Sequence, residues 1–156
     1  IREWLPDSRD VVHLDFHTGL GRYGTGKLLI DYPLTAAQTQ RLSSWYGRDA
    51  FEACDVGSTA YDARGGFGRW CVAQQLAERY LFACAEYGTF HPVRVLAGLR
   101  AENQATHWAA ASAPVLQQAR QHLQELFCPS DPVWRRRVLQ HARLLLQTTL
   151  QQLAEA

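Results

Sequence analysis

Eleven residues near the start constrain this chain more than any others: Val11-Val12-His13-Leu14-Asp15-Phe16-His17-Thr18-Gly19-Leu20-Gly21. A β-branched, mostly apolar run passes abruptly into a histidine, a small hydroxyl residue and two glycines. A buried strand that delivers a polar group to the end of a sheet reads this way. With a period of two, Val12, Leu14 and Phe16 share one face, and Val11, His13, Asp15 and His17 share the other. Ligands of open α/β sheets sit beyond the carboxyl ends of strands. His17 is therefore expected at such an end, with Gly19 to Gly26 as a loop that lets a substrate come close.

The pattern that follows predicts strands alternating with helices. Lys27 to Asp31 reads as a second strand, stopped by Pro33. Thr35 to Tyr46 reads as a helix with Thr35 as N-cap and Gly47 as C-cap. Arg48 to Gly66 reads as a long surface loop, marked by Asp49, Asp55, Gly57, Ser58, Asp62, Gly65 and Gly66. A helix is predicted over Phe67 to Arg79, then a short apolar strand, Tyr80 to Ala85, ending at Glu86. Pro92 fits the first position of a helix that turns Val95, Leu96 and Leu99 inward and runs to about Trp108. Ser112 is expected to cap a helix with Leu116, Ala119, Leu123 and Leu126 on one stripe. Asp131-Pro132 opens a last helix whose apolar face is Trp134, Val138, Ala142, Leu145, Leu146 and Leu153. This order predicts an α/β domain with a mainly parallel sheet and a helical C-terminal tail, one domain over residues 1–156.

Composition narrows the function classes. The 156 residues are enough for one domain with a real core. A net charge of +1 provides no broad basic field, so no nucleic-acid partner and no anionic membrane is expected. No apolar run approaches the ~20 residues of a membrane span. Cys54, Cys71, Cys84 and Cys128 contain no CxxC pair, which argues against a zinc ribbon or a disulfide framework and fits a reducing cytoplasm. Cys71 and Cys84, among apolar neighbours, read as small buried hydrophobes. The sequence holds no methionine, and Ile1-Arg2-Glu3-Trp4-Leu5 before Pro6 reads as the end of a helix. Both features suggest the C-terminal part of a longer protein.

Two nucleotide motifs occur and are set aside. Gly19-Leu20-Gly21-Arg22-Tyr23-Gly24 matches GxGxxG, and Gly21 to Lys27 matches GxxxxGK. The dinucleotide fingerprint needs a helix to begin inside the glycine run, because its N-terminus holds the pyrophosphate. Lys27 to Asp31 is too short and too closely bounded by Pro33 for that. The phosphate loop needs Ser or Thr after its lysine, where Leu28 stands.

The remaining chemistry lies in two strand ends, each a polar residue near a glycine. One presents His17, the other Glu86, and in a twisted parallel sheet such ends face one crevice. Neutral imidazole is a good zinc ligand. A carboxylate that is not a ligand can move a proton from water to a leaving amine. Asp15, on the strand face of His17, could orient the ring. Plainer roles compete. His17 could cap a turn, Glu86 could be a solvated strand-end residue, and Asp15 could bond nearby amides. His13 reads as a core histidine, His91 as a helix N-cap, and His107, His122 and His141 as surface residues. Arg135-Arg136-Arg137 reads as a solvated helix face.

Asp15-Phe16-His17-Thr18-Gly19 resembles the Asp-[Phe/Leu]-His-Thr-Gly strand end of the zinc carboxypeptidase superfamily, which includes the succinylglutamate desuccinylase and aspartoacylase branch. The segment Asp15 to Gly26, Ala85-Glu86-Tyr87-Gly88-Thr89 and the helix Pro92 to Asn103 look most like a mostly bacterial branch of metallopeptidase-like proteins. The resemblance covers roughly the first two thirds of the chain. It implies a three-layer α/β/α fold, one zinc ion and hydrolysis of peptide C-termini or N-acyl amino acids. In that family a His-x-x-Glu pair and a later histidine hold the metal. His17 matches the later histidine and Glu86 the catalytic glutamate. Thr18, Gly19, Tyr61 and Arg64 would then meet the substrate.

The departure is as informative. Only His122 is followed by a glutamate at the third position, Glu125, and it comes after His17. The chain thus resembles the second half of the enzyme, and the other zinc ligands are expected upstream of Ile1. Alone, it is expected to be inactive. The alternative expectation is a non-catalytic module with an incomplete metal site, its helical tail from Ser112 to Ala156 packing on a partner or a second copy.

Overall fold

The computed structural model describes residues 3, 5, 8–53, 66–110 and 113–155. The elements run β1 (Asp10–Tyr23), β2 (Gly26–Ile30), α1 (Ala36–Tyr46), a 3-10 turn (Arg48–Ala50), β3 (Phe51–Ala53), α2 (Phe67–Ala73), β4 (Arg79–Gly88), α3 (Pro92–Trp108), α4 (Pro114–Phe127) and α5 (Pro132–Ala154). The fold is mixed α/β, with a four-stranded sheet in the order β1-β4-β2-β3.

The sheet is mostly parallel. β4 starts beside the start of β1, where the Arg79 N–H donates to Arg9 O at 2.8 Å. It ends beside the end of β1, with Gly88 packed on Gly21 and Arg22. β2 runs the other way along β4, because the Gly88 N–H donates to Thr25 O at 3.0 Å just before β2 begins. The turn at Gly24 and Thr25 thus carries the chain around the end of β4. β3 is parallel to β2, with Leu28 opposite Phe51 and Ile30 opposite Ala53.

The chain divides into two compact units, Ile1–His17 with Lys27–Ala85 and His141–Ala156, and Thr18–Gly26 with Glu86–Gln140. The division falls inside β1, β4 and α5, which are continuous.

In the first unit the core is Leu28, Ile30, Tyr32, Leu42, Cys71, Leu81, Phe82, Ala83 and Ala85, all buried. Tyr32 lies just past the end of β2, and its hydroxyl takes over part of the ladder. It donates to Phe82 O and accepts from the Phe82 N–H, both at 3.0 Å. α1 forms as its local signals require: Thr35 and Gln38 make a capping box, and the Gly47 N–H donates to Ser43 O. α2 lies close on the sheet because Gly68 has no side chain. A Cβ there would collide with the Phe82 ring and the Asp31 carboxylate. In the second unit α3 and α4 pack together. Leu116 and Leu126 are buried with Val95, and Leu126 rests over Gly98. The Trp134 indole N–H donates to Gly88 O at 2.9 Å.

Several expectations need correction. β1 does not stop at His17: Gly19 to Tyr23 continue as strand, so His17 lies within a long strand rather than at its end. Pairing with β4 supplies the reason, because backbone hydrogen bonding outweighs the weak strand propensity of glycine. β3 falls inside the stretch read as loop; three residues carry too little periodicity to reveal a parallel pairing. α2 ends at Ala73, not Arg79, and Gln75 takes φ 49° as the chain turns toward β4. Leu96 and Leu99 are exposed, while Val95 and Gly98 carry the inner face of α3. Leu146 of α5 is exposed too, whereas Trp134 and Leu145 are buried. Ser112 lies outside the described residues. Among the described residues no helix is long and apolar enough to cross a membrane.

Candidate functional site

Strand alternation assembles the site. His13, Asp15 and His17 share one face of β1. The His13 ring packs edge-on against the rings of Tyr80 and Phe82, with centroids at 6.3 and 4.9 Å, and its Nδ1 lies 2.8 Å from the Tyr80 hydroxyl. Tyr80 and Phe82 of β4 therefore share that face, and period two adds Cys84 and Glu86. α2 stands over the His13 end, with Phe67 edge-on to His13 and stacked on Trp70 at 6.2 Å. Burial pushes the Tyr80 phenol well above its usual pKa, and Cys71 beside it adds to the shift.

His17 is 54% exposed in its side chain, and its Nε2 lies 2.9 Å from Asp15 Oδ2. That contact orients the ring and leaves Nδ1 as the nitrogen for a ligand. Glu86 is buried, only 7% exposed. Its Oε1 accepts the Leu20 N–H at 2.8 Å. Thr89, also buried, donates its hydroxyl to Gly19 O at 3.1 Å. Gly19 has φ +148°, and a Cβ there would lie 3.1 Å from the Phe127 ring and 3.7 Å from Glu86 Oε1. A side chain at position 19 would press on the Phe127 ring from a backbone conformation that L residues rarely adopt, so this position favours glycine.

The ligand atoms of His17, Cys84 and Glu86 all lie within 4.8 Å of one another. In a tetrahedral zinc site, bonds of about 2.0–2.3 Å place donor atoms roughly 3.3–3.8 Å apart. Closing these side chains on one ion needs movements of about 1 Å. Imidazole, thiol and carboxylate are all zinc donors, so the residues fit the group that the resemblance implies.

The sequence-predicted residues fare differently. His17, Asp15 and Glu86 fall on the shared face. Thr18 belongs to the opposite face by alternation, and Gly19 offers backbone only. Tyr61 and Arg64 lie outside the described residues, as does Cys54. Cys84 escapes sequence reasoning as a donor. Its apolar neighbours suggest a buried hydrophobe, yet its position two residues before Glu86 already places it on the site's face. His91 caps α3, accepting the Val93 N–H at 3.3 Å, and His107, His122 and His141 are exposed. The segment after the glycine run is strand β2, so neither nucleotide motif has its helix.

A second polar cluster lies in the first unit. Arg41 and Arg79 both donate to Asp10 Oδ2, at 2.6 and 3.2 Å. They line a cavity of about 640 Å³ with Thr35, Gln38, Gln75 and Tyr80. It does not include His17, Cys84 or Glu86.

The profile of a family described as "Protein of unknown function (DUF2817)" matches residues 1–141. The chain belongs to that family. The match takes in the whole of β1 to α4, and so every residue of the candidate site in this DUF2817 chain. No curated protein and no solved structure matches it.

Proposed function

We propose that this DUF2817 chain carries the catalytic carboxylate and a metal ligand of a zinc-dependent amide hydrolase, of the metallocarboxypeptidase or N-acyl amino acid deacylase type. The observation that carries the reading is the convergence of His17 and Glu86 on one face of neighbouring strands, with ligand atoms inside 4.8 Å. The resemblance of Asp15–Gly19 and Ala85–Thr89 to zinc carboxypeptidases supports it, and the three-layer fold of that superfamily belongs to the same proposal.

Zinc, when bound, supplies a Lewis acid that polarises the scissile carbonyl and acidifies nearby water. The chain's own residues do the rest. His17 holds the ion, its ring fixed by Asp15. Glu86, pinned by the Leu20 N–H, takes a proton from the attacking water and hands it to the departing amine.

Glu86→Gln in the full-length protein is expected to lower kcat by about 10²–10⁴ while leaving KM within a few-fold, since it removes a proton carrier rather than a binding contact. Hydrolysis within a few-fold of wild type would remove Glu86 from the mechanism. A non-catalytic module is the second reading, favoured by the burial of Glu86 against the Leu20 N–H. Metal analysis separates the two: stoichiometric zinc in the full-length protein supports the hydrolase, and its absence supports the module.

A further inference from the structure

We infer that Cys84 is itself a metal ligand, so that its thiolate and the His17 imidazole grip the ion together while Glu86 stands beside them as the base. The inference deepens the hydrolase reading and rests on it only for the role of Glu86.

Three observations point to the thiol. Cys84 belongs to the one group of three metal-ligating side chains among the described residues. It is half-buried, whereas Ala83 and Ala85 on either side are fully buried. Alternation places Cys84 with Glu86 on the face of β4 that meets His13, Asp15 and His17 of β1, opposite to the face of Ala83 and Ala85. Asp15 occupies Nε2 of His17, so the ring presents its other nitrogen for ligation.

The chemistry balances simply. The Cys84 S–H bond breaks, its proton passes to solvent, and the sulfur electron pair forms the metal bond. A thiolate with an imidazole is a soft-to-borderline pair, which selects zinc, cobalt or cadmium over magnesium and calcium. It also places one negative charge on the ion independently of Glu86, and so leaves that carboxylate available for proton transfer.

Cobalt(II) titration of the full-length protein tests this. The expected result is a thiolate-to-cobalt charge-transfer band in the near ultraviolet with the intensity of one sulfur. Cys84→Ser and Cys84→Ala abolish the band, and Glu86→Gln keeps it. His17→Ala weakens cobalt binding at least about tenfold. In the unmutated protein, zinc slows alkylation of Cys84 by iodoacetamide at least about tenfold, read by peptide mass spectrometry. No cobalt binding, binding without the band, a band that survives Cys84→Ser, or alkylation indifferent to zinc would each overturn the inference. Failure of the hydrolase reading looks different: activity insensitive to Glu86→Gln, with the cobalt band intact.

Discussion

Asp131 sits just before α5 and collects two donors, the Val133 N–H at 2.8 Å on Oδ1 and the Tyr23 hydroxyl at 3.0 Å on Oδ2. The Val133 amide, then Tyr23, Trp134 and Arg137, hold its carboxyl below the usual 3.8. A depressed folded value adds stability above pH 3.8 that is lost as pH falls through the folded value. Asp131→Asn keeps an N-cap of similar quality without the titration. The variant is expected to have a lower urea midpoint than wild type near neutrality, and the gap is expected to close as pH falls through the folded value. Tyr32 behaves in the opposite sense. Burial raises its phenol to about 12. Its stabilisation is complete below pH 10 and fades as pH rises toward 12. Tyr32→Phe strands the Phe82 N–H and C=O in the core and is expected to cost about 1–3 kcal/mol in equilibrium denaturation.

Among the elements, α2 offers the sharpest contest between local and tertiary preference. Alanine is a better helix former than glycine by about 1 kcal/mol, so propensity alone favours Gly68→Ala. The added Cβ would strike the Phe82 ring and Asp31, and overpacking costs about 1–3 kcal/mol. The expected net effect is destabilisation, read as a lower melting temperature. The same contrast explains which elements are legible in the sequence. α1 is legible end to end, because Thr35, Gln38 and Gly47 act within one turn of the residues they cap. The start of α5 is legible for the same reason, through Asp131 and Pro132. β3 is not, because Phe51 to Ala53 become a strand only by pairing with Leu28 to Ile30, more than twenty residues away.

For the molecule as a whole, β4 is the organising strand, flanked by β1 and β2. Leu81, Ala83 and Ala85 are buried in a strand that is hydrogen-bonded to a neighbour on each edge, so their amides are expected to be among the slowest to exchange with deuterium. Amides of the three-residue edge strand β3 are expected to exchange far faster, and hydrogen-exchange mass spectrometry resolves the two. Fast exchange across β4 would contradict the strand order.

Period two along two short runs was enough to set His17 with Asp15 and to mark Glu86, because alternation is a property of the extended backbone itself. Tertiary pairing decided the rest. It drew the glycines after His17 into β1, set β1 beside β4, and brought Cys84 within reach of His17. Those outcomes depend on hydrogen bonds and close approaches between segments some seventy residues apart, which no local pattern of side chains encodes.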